Sequence, residues 1–125
     1  VHVVVAHDHF GVGAGHWAFE PEQLERYRQA VKTRTAEAKL EKAFAAAARI
    51  GCVPDEPQLA RVPRGYDAGE PVATMLRRKG VVVRTHDQAI PDVLFQPGAV
   101  DFTVKQITAL LPLIAWLNRF VFDQA

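Results

Sequence analysis

The spacing of the apolar residues changes several times along the chain, and each spacing predicts a different element. Residues 1–6 are mostly β-branched and apolar on both faces, which predicts a strand inside a sheet. Glycine then occupies every second position from Gly11 to Gly15, which predicts a hairpin whose second strand lies close to another backbone. Trp17 and Phe19, which follow this hairpin, are expected to be core residues.

Four helices are predicted from apolar residues that lie three and four positions apart. The first begins at Pro21, the second runs from about Thr35 to Ile50, and the third from about Pro71 to Lys79. The last helix is long, and a proline within it, Pro112, should kink or break it. Short strands are predicted at 58–62 and 81–86. The expected apolar seam of the last helix comprises Val100, Val104, Ile107, Leu111, Ile114 and Val121.

These elements indicate an α+β fold, with a small and mostly antiparallel sheet packed against about four helices, the last of them long. A chain of 125 residues is the size of one domain, so residues 1–125 are expected to share a single core. Because the chain begins with a strand-like segment and no methionine, we expect it to be the C-terminal portion of a longer protein.

The bulk composition excludes several classes of function. The net charge is +1 and the aromatic residues are not interleaved with the basic ones, which disfavours nucleic acid as a partner. The longest uninterrupted apolar run, 109–117, is much shorter than the roughly 20 residues of a membrane span, so no membrane is predicted. The single cysteine, Cys52, cannot form an internal disulfide and suits a reducing compartment, so a cytoplasmic location is expected.

Basic residues are concentrated between positions 61 and 84. Six of them stand there against the two acids Asp67 and Glu70, a local excess of four positive charges. The segment VPRG at 62–65 predicts a type I turn with Arg64 at its apex, and Asp67 could cap the next helix or pair with an arginine. The predicted binding site for a phosphate or carboxylate comprises Arg61, Arg64, Tyr66, Asp67, Lys79 and Arg84. A solvated basic surface is the alternative.

Other candidate sites are weaker on inspection. The segment GVGAG departs from the dinucleotide-binding spacing and does not run directly into a helix, so no cofactor is predicted. Cys52 is expected to be a small buried residue rather than a nucleophile. No metal site is predicted either, because three or four convergent ligands with supporting groups are needed. The histidines considered for it are His2, His7, His9 and His16.

Three segments of the chain resemble the second half of the family of conserved hypothetical proteins called domain of unknown function 2461. They are GAGHWAFEPEQLERYRQAV, RVPRGYDAGEPVATMLRRKG and PLIAWLN. The resemblance implies an α+β domain without an established reaction. Glu70 departs from the family pattern, which often has histidine at that position. The resemblance also implies that a further half of the protein precedes this chain. The positions that match the family pattern are Gly13, Gly15, Trp17, Pro21, Arg61, Pro63, Arg64, Gly65, Tyr66, Asp67, Pro71, Lys79, Pro112, Leu113, Leu117 and Asn118.

Three functions follow as hypotheses. The first is an uncharacterised domain that binds a small anionic ligand at the Arg-rich surface around the RVPRGYD turn. The second is a hydrolase acting on a phosphorylated or carboxylated small molecule, in which Tyr66 and Asp67 would work with a histidine such as His9, His16 or His86. The third is an interaction domain that packs against a missing N-terminal half, or against a second copy, through its first strand and its C-terminal helix.

Overall fold

The computed structural model describes residues 2–5, 10–85, 89 and 91–122, and it has the predicted α+β architecture. The strands are β1 (His2–Val5), β2 (Phe10–His16), β3 (Val53–Pro54) and β4 (Val81–Arg84). The helices are α1 (Pro21–Val31), α2 (Arg34–Ala48), α3 (Val72–Leu76) and α4 (Ala99–Leu117). A 3₁₀ turn (Asp92–Phe95) precedes α4, and a π-helical turn (Asn118–Phe122) follows it.

The four strands form one antiparallel sheet in the order β1-β2-β4-β3. In β2, the side chains of Phe10, Val12 and Ala14 are buried at alternate positions. Ala14 lies directly opposite Val83 of β4, and both belong to the hydrophobic core. This alternation places one face of β2 on the core and leaves the glycines on the other face.

The predicted close approach of the glycine-rich strand to another backbone is confirmed. Gly15 has φ of +136°, and a Cβ atom there would lie 2.0 Å from the carbonyl oxygen of Val81. At the end of the same ladder, a Cβ atom on Gly80 would lie 2.1 Å from the carbonyl oxygen of Trp17. Only glycine allows β2 and β4 to meet at this distance.

The helices cover the core face of the sheet and are joined by two buried side-chain hydrogen bonds. Trp116 of α4 donates its indole N–H to the carbonyl of Ala36 in α2 at 2.8 Å. Tyr27 of α1 donates its hydroxyl to the carbonyl of Met75 in α3, also at 2.8 Å. Because both donors are buried aromatic groups, each bond fixes the relative position of two helices while the ring fills the core.

The predicted apolar seam of α4 is wrong in its exposed members. Val100 is 72% exposed, and Val104 and Leu111 are also exposed, so the buried face lies elsewhere on the helix. That face comprises Leu110, Leu113, Trp116 and Leu117. The helix is apolar around most of its circumference, and periodicity alone therefore cannot identify which stripe meets the core.

The C-terminal helix also differs from expectation in its continuity and its apolar length. It continues as an α-helix through Pro112 rather than breaking there. Residues 99–122 are long and apolar enough to span a bilayer, with a mean hydropathy of 1.3 in their most apolar window. Core helices that are mostly buried also satisfy this criterion. The face of α4 that packs on α2 and β2 belongs to the core, but only 22% of the apolar window is buried.

Two further element predictions need correction. Residues 58–62 are irregular and do not form a strand, since the bond from Leu59 N to Arg77 O is their one backbone–backbone hydrogen bond to another described segment. The helix expected from Pro71 to Lys79 is the single turn and a half of α3. It ends early because Gly80 must enter β4, where the chain passes close to Trp17.

Candidate functional site

The turn that carries Arg64 lies one residue later than predicted. Tyr66 N donates to Pro63 O at 3.2 Å, and Gly65 has φ of +92°. A positive φ at the third position is typical of a type II turn, so the predicted type I turn is wrong. Arg64 nevertheless occupies an exposed central position of the turn, as predicted.

Tyr66 attaches this turn to the rest of the domain. Its half-buried ring packs against the core, and its hydroxyl accepts a long hydrogen bond of 3.5 Å from Gln29 in α1. The Lys32 ammonium lies 5.2 Å from the centre of the ring, where it makes a cation–π contact. Tyr66 is therefore a structural anchor, and Lys32 is a cation near the turn that the sequence prediction missed.

Glu70, rather than Asp67, caps α3. One carboxylate oxygen of Glu70 accepts hydrogen bonds from both the backbone N–H and the hydroxyl of Thr74 at 2.8 Å. These bonds favour the ionised form and hold the pKa of Glu70 below its usual value. The first turn of this short helix therefore already binds the chain's own carboxylate. Asp67 is exposed and has no hydrogen-bond partner among the described residues.

Two arginines of the basic segment have structural roles. Arg77 donates its Nε–H to the carbonyl of Leu59 at 2.9 Å. Arg78 is only 7% exposed, donates to the carbonyl of Asp55 and lies 5.8 Å from the ring centre of Phe44. Burial lowers the pKa of Arg78 from its ordinary value. Both guanidinium groups therefore hold the irregular 55–59 segment against α3, a role that explains arginine here without any ligand.

Arg84 lies instead in an open cleft of about 840 Å³. Its Nε is 2.9 Å from Oδ1 of Asp55, and its guanidinium carbon is 5.0 Å from the ring centre of Trp17. Glu56 and Gln58 also line the cleft, so it combines an aromatic ring, a cation and several acceptors. The expectation that Trp17 belongs to the core is wrong, because this residue is 60% exposed. Phe19 is buried as predicted.

Lys79 lies beside this cleft. Its backbone N–H donates to Oε1 of Gln58 at 2.9 Å, while its side chain is exposed. Arg84 thus lines the cleft and Lys79 is joined to one of its lining residues, Gln58, whereas Arg61 and Arg64 lie on the 61–67 loop. Neither of these two loop arginines has a hydrogen bond or ion pair with another described residue. The predicted anion site is therefore divided between a loop and a cleft.

The histidines provide no metal centre in the part of the chain that the structure describes. The His16 ring is stacked on Phe19, with ring centres 5.9 Å apart, and meets the edge of Phe122 at 5.2 Å. No group of three metal-binding side chains occurs among the described residues. The side chains of the other four histidines lie outside the described part of the structure: His2, His7, His9 and His86.

Cys52 is a fully buried residue, as predicted. Its Sγ is 3.4 Å from the carbonyl oxygen of Val12, to which the thiol can donate. Burial raises the pKa of the Cys52 thiol above its ordinary value. A protonated, enclosed thiol is a poor nucleophile, in agreement with a structural role.

The fold and the surface define an α+β domain whose basic 61–84 segment exposes cations at a tight turn and in a cleft beside the sheet. The chain belongs to the conserved hypothetical protein family DUF2461, whose family model matches residues 1–116. This match confirms the resemblance seen in the sequence. Neither curated proteins nor solved structures give a significant match to the chain.

Proposed function

We propose that this protein binds a small anionic ligand, carrying a phosphate or a carboxylate, in the cleft beside Trp17. The observation that carries the proposal is the position of Arg84. Its Nε contacts Asp55 and its guanidinium carbon lies over the ring of Trp17, while its terminal amino groups have no hydrogen-bond partner among the described residues. A guanidinium that is already oriented can form a forked contact with an anion at little further entropic cost.

The dimensions and the other groups of the cleft support this proposal. A volume of about 840 Å³ lies within the range of about 300–1,000 Å³ that is usual for small-molecule sites. The exposed indole of Trp17 offers an apolar surface, while Asp55 and Glu56 can accept hydrogen bonds from hydroxyl or amino groups. The favoured ligand therefore bears both an anionic group and hydrogen-bond donors, as a phosphosugar or a nucleotide does.

The predicted loop residues remain part of the proposal as outer contacts. Arg61 and Arg64 are exposed, and Gly65 and Tyr66 fix the backbone between them and the core. They carry less weight than Arg84 because no hydrogen bond or ring contact orients their guanidinium groups. Lys79 is nearer to the cleft and is expected to add a favourable charge for the same ligand.

Titration with glucose 6-phosphate, nucleoside monophosphates and sulfate tests the proposal, with tryptophan fluorescence as the readout. Arg84→Gln should weaken binding at least tenfold, because a hydrogen bond to a charged group contributes about 1.5–3 kcal/mol. Arg64→Gln, a matched change of the same residue type on the loop, should alter the affinity by less than about twofold. Equal binding by the parent and Arg84→Gln would remove the cleft proposal. A loss only in Arg64→Gln would place the site at the turn.

The described residues favour binding over hydrolysis. A hydrolase of the kind considered above needs a histidine that works with Tyr66 and Asp67, and the aromatic contacts of His16 are with Phe19 and Phe122 instead. The other histidines named for that role lie outside the described residues.

A second candidate function, packing against another polypeptide, is favoured by the exposed apolar side chains of α4. Val100 and Val104 are exposed to an extent that is unusual for large apolar residues one turn apart on a helix. We propose a second copy of the chain as the occupant, and sedimentation analysis tests it. A dimer that Val104→Glu converts to a monomer would support this function, and a monomeric parent would exclude self-association.

A further inference from the structure

A second surface feature, remote in sequence from the Trp17 cleft, is a groove of about 420 Å³ between α2 and the end of α4. Its floor is apolar: the ring centres of two of its residues, Trp116 and Phe120, lie 5.1 Å apart in a tilted arrangement. Small side chains keep the groove open, because α2 and α4 present alanine and proline to it. These floor residues are Ala43, Pro112 and Ala115.

The rim of this groove is entirely cationic. Lys39 and Lys42 from α2 and Arg119 from the π-helical turn line it, and no carboxylate does. The nearest acids along α2, Glu37 and Glu41, lie on the opposite flank of that helix, since each residue advances about 100° around the axis. None of the three cations forms an ion pair with a carboxylate of the described residues.

The apolar surface extends beyond the groove itself. Leu111 is exposed and lies one turn before Ala115, so the two side chains are neighbours on α4. An occupant could therefore rest an apolar segment on the floor of the groove and continue it along the helix. Its charged end would meet the three cations at the rim.

We infer that this groove binds an amphipathic anion, with a hydrocarbon chain on the apolar floor and a carboxylate or phosphate head among Lys39, Lys42 and Arg119. The three cations favour an anionic head group, and the apolar floor favours a hydrocarbon chain over a compact polar molecule. The inference is independent of the Trp17 cleft, which shares no lining residue with the groove.

Calorimetric titration with dodecanoate, kept below its micellar concentration, tests this inference on the intact chain. One equivalent should bind. Hexanoate should bind at least tenfold more weakly, because each buried methylene contributes about 0.8 kcal/mol. Dodecyltrimethylammonium, which has the same chain with a cationic head, should not compete.

Variants then locate the site. The double variant Lys39→Gln/Lys42→Gln should weaken dodecanoate binding about fivefold to tenfold, since both charges face the head group. The matched control Arg34→Gln/Arg49→Gln removes two cations from the ends of the same helix and should bind like the parent. Ala115→Glu, a substitution at an exposed position, should block the floor without disturbing the core, and circular dichroism checks its fold. Arg84→Gln should leave dodecanoate binding unchanged, which separates this site from the cleft.

Several results would overturn the inference. They are the absence of dodecanoate binding, equal binding of the cationic detergent, and equal losses in the groove variant and its control. Vesicles containing phosphatidylglycerol distinguish a free amphiphile from a lipid head group. If the protein binds monomeric dodecanoate, and if Lys39→Gln/Lys42→Gln also weakens its binding to the vesicles, then the groove accepts both the free amphiphile and the lipid head group. Binding to vesicles without any binding of monomeric dodecanoate would refute the groove as a ligand site.

Discussion

Replacing Gly15 by alanine is the most direct test of how β2 and β4 meet. The residue has φ of +136°, and the new Cβ atom would lie 2.0 Å from Val81 O and 2.7 Å from Val82 Cα. Both of these atoms belong to the backbone, so a rotamer change cannot relieve the overlap. Gly11, four residues earlier in the same strand and on the same face, provides the matched control. There, the nearest atom of the described residues to an added Cβ is Oγ1 of Thr85 at 3.7 Å, which is an ordinary contact.

The structure sets the expected magnitudes. Backbone strain at a positive φ costs an L residue about 1–3 kcal/mol. Displacing β4 disturbs Val81 and Val83, which are fully buried, and adds a packing cost similar to that of overpacking, about 1–3 kcal/mol. Gly15→Ala should therefore lower the free energy of unfolding by about 3 kcal/mol or more. Gly11→Ala should leave it unchanged or raise it by up to about 1 kcal/mol, because glycine in a strand has an entropic cost.

Urea denaturation followed by circular dichroism measures both variants. Because domains of this size are stable by only about 5–15 kcal/mol, the difference between the two midpoints should be large. Similar midpoints for Gly15→Ala and Gly11→Ala would refute the register and the close approach of the strands. A loss in Gly11→Ala that exceeds the loss in Gly15→Ala would refute them too.

Three further predictions concern buried or capping groups. Tyr27→Phe should lower the free energy of unfolding by about 1 kcal/mol, because Met75 O loses the phenol as a donor but keeps the N–H of Arg78. Burial raises the pKa of Tyr27, so the unfolded chain ionises first as the pH rises. Urea titrations above about pH 10 should therefore show the parent, but not the variant, losing stability through this residue. Cys52 should react with iodoacetamide only as fast as the protein unfolds, and rapid labelling of the folded protein, followed by mass spectrometry, would contradict its burial. Because the pKa of Glu70 is lowered in the folded protein, its carboxylate stabilises the fold at pH values above the ordinary pKa of glutamate, and this stabilisation is lost as the pH falls through the folded pKa. Glu70→Gln should therefore flatten the acid limb of the plot of unfolding free energy against pH, and an unchanged limb would argue against the cap.

Local patterns predicted the elements well wherever a single physical constraint decided them. Proline at the first helical position marks the start of α1 at Pro21, and alternate glycines mark the strand that meets β4. The face of α4 was mispredicted because apolar residues occur on most sides of that helix. Which stripe is buried depends on α2, and α2 packs there through Ala36, Leu40 and Ala43.

The candidate site was harder to predict because an arginine in the sequence does not reveal what its guanidinium contacts. Within one local cluster, Arg77 and Arg78 bond to backbone carbonyls of the 55–59 segment, and Arg84 pairs with a carboxylate. Among the six basic residues of the cluster, the side chains of Arg61, Arg64 and Lys79 have no hydrogen-bond or ion-pair partner among the described residues, and Arg84 uses only its Nε. A count of positive charges therefore overstated the number available to a ligand, and the choice of arginine over lysine had a structural cause at two positions.

The cleft itself depends on strand order, which local sequence patterns cannot supply. Trp17 follows β2, Asp55 follows β3 and Arg84 ends β4, so their separations along the chain are large. They meet because β4 lies between β2 and β3 in the sheet. Had β3 paired with β1 at the other edge, Arg84 would have neither the Asp55 carboxylate nor a cleft wall beside it. The same topology explains why Trp17 is exposed: it borders a space that the two-residue β3 is too short to fill.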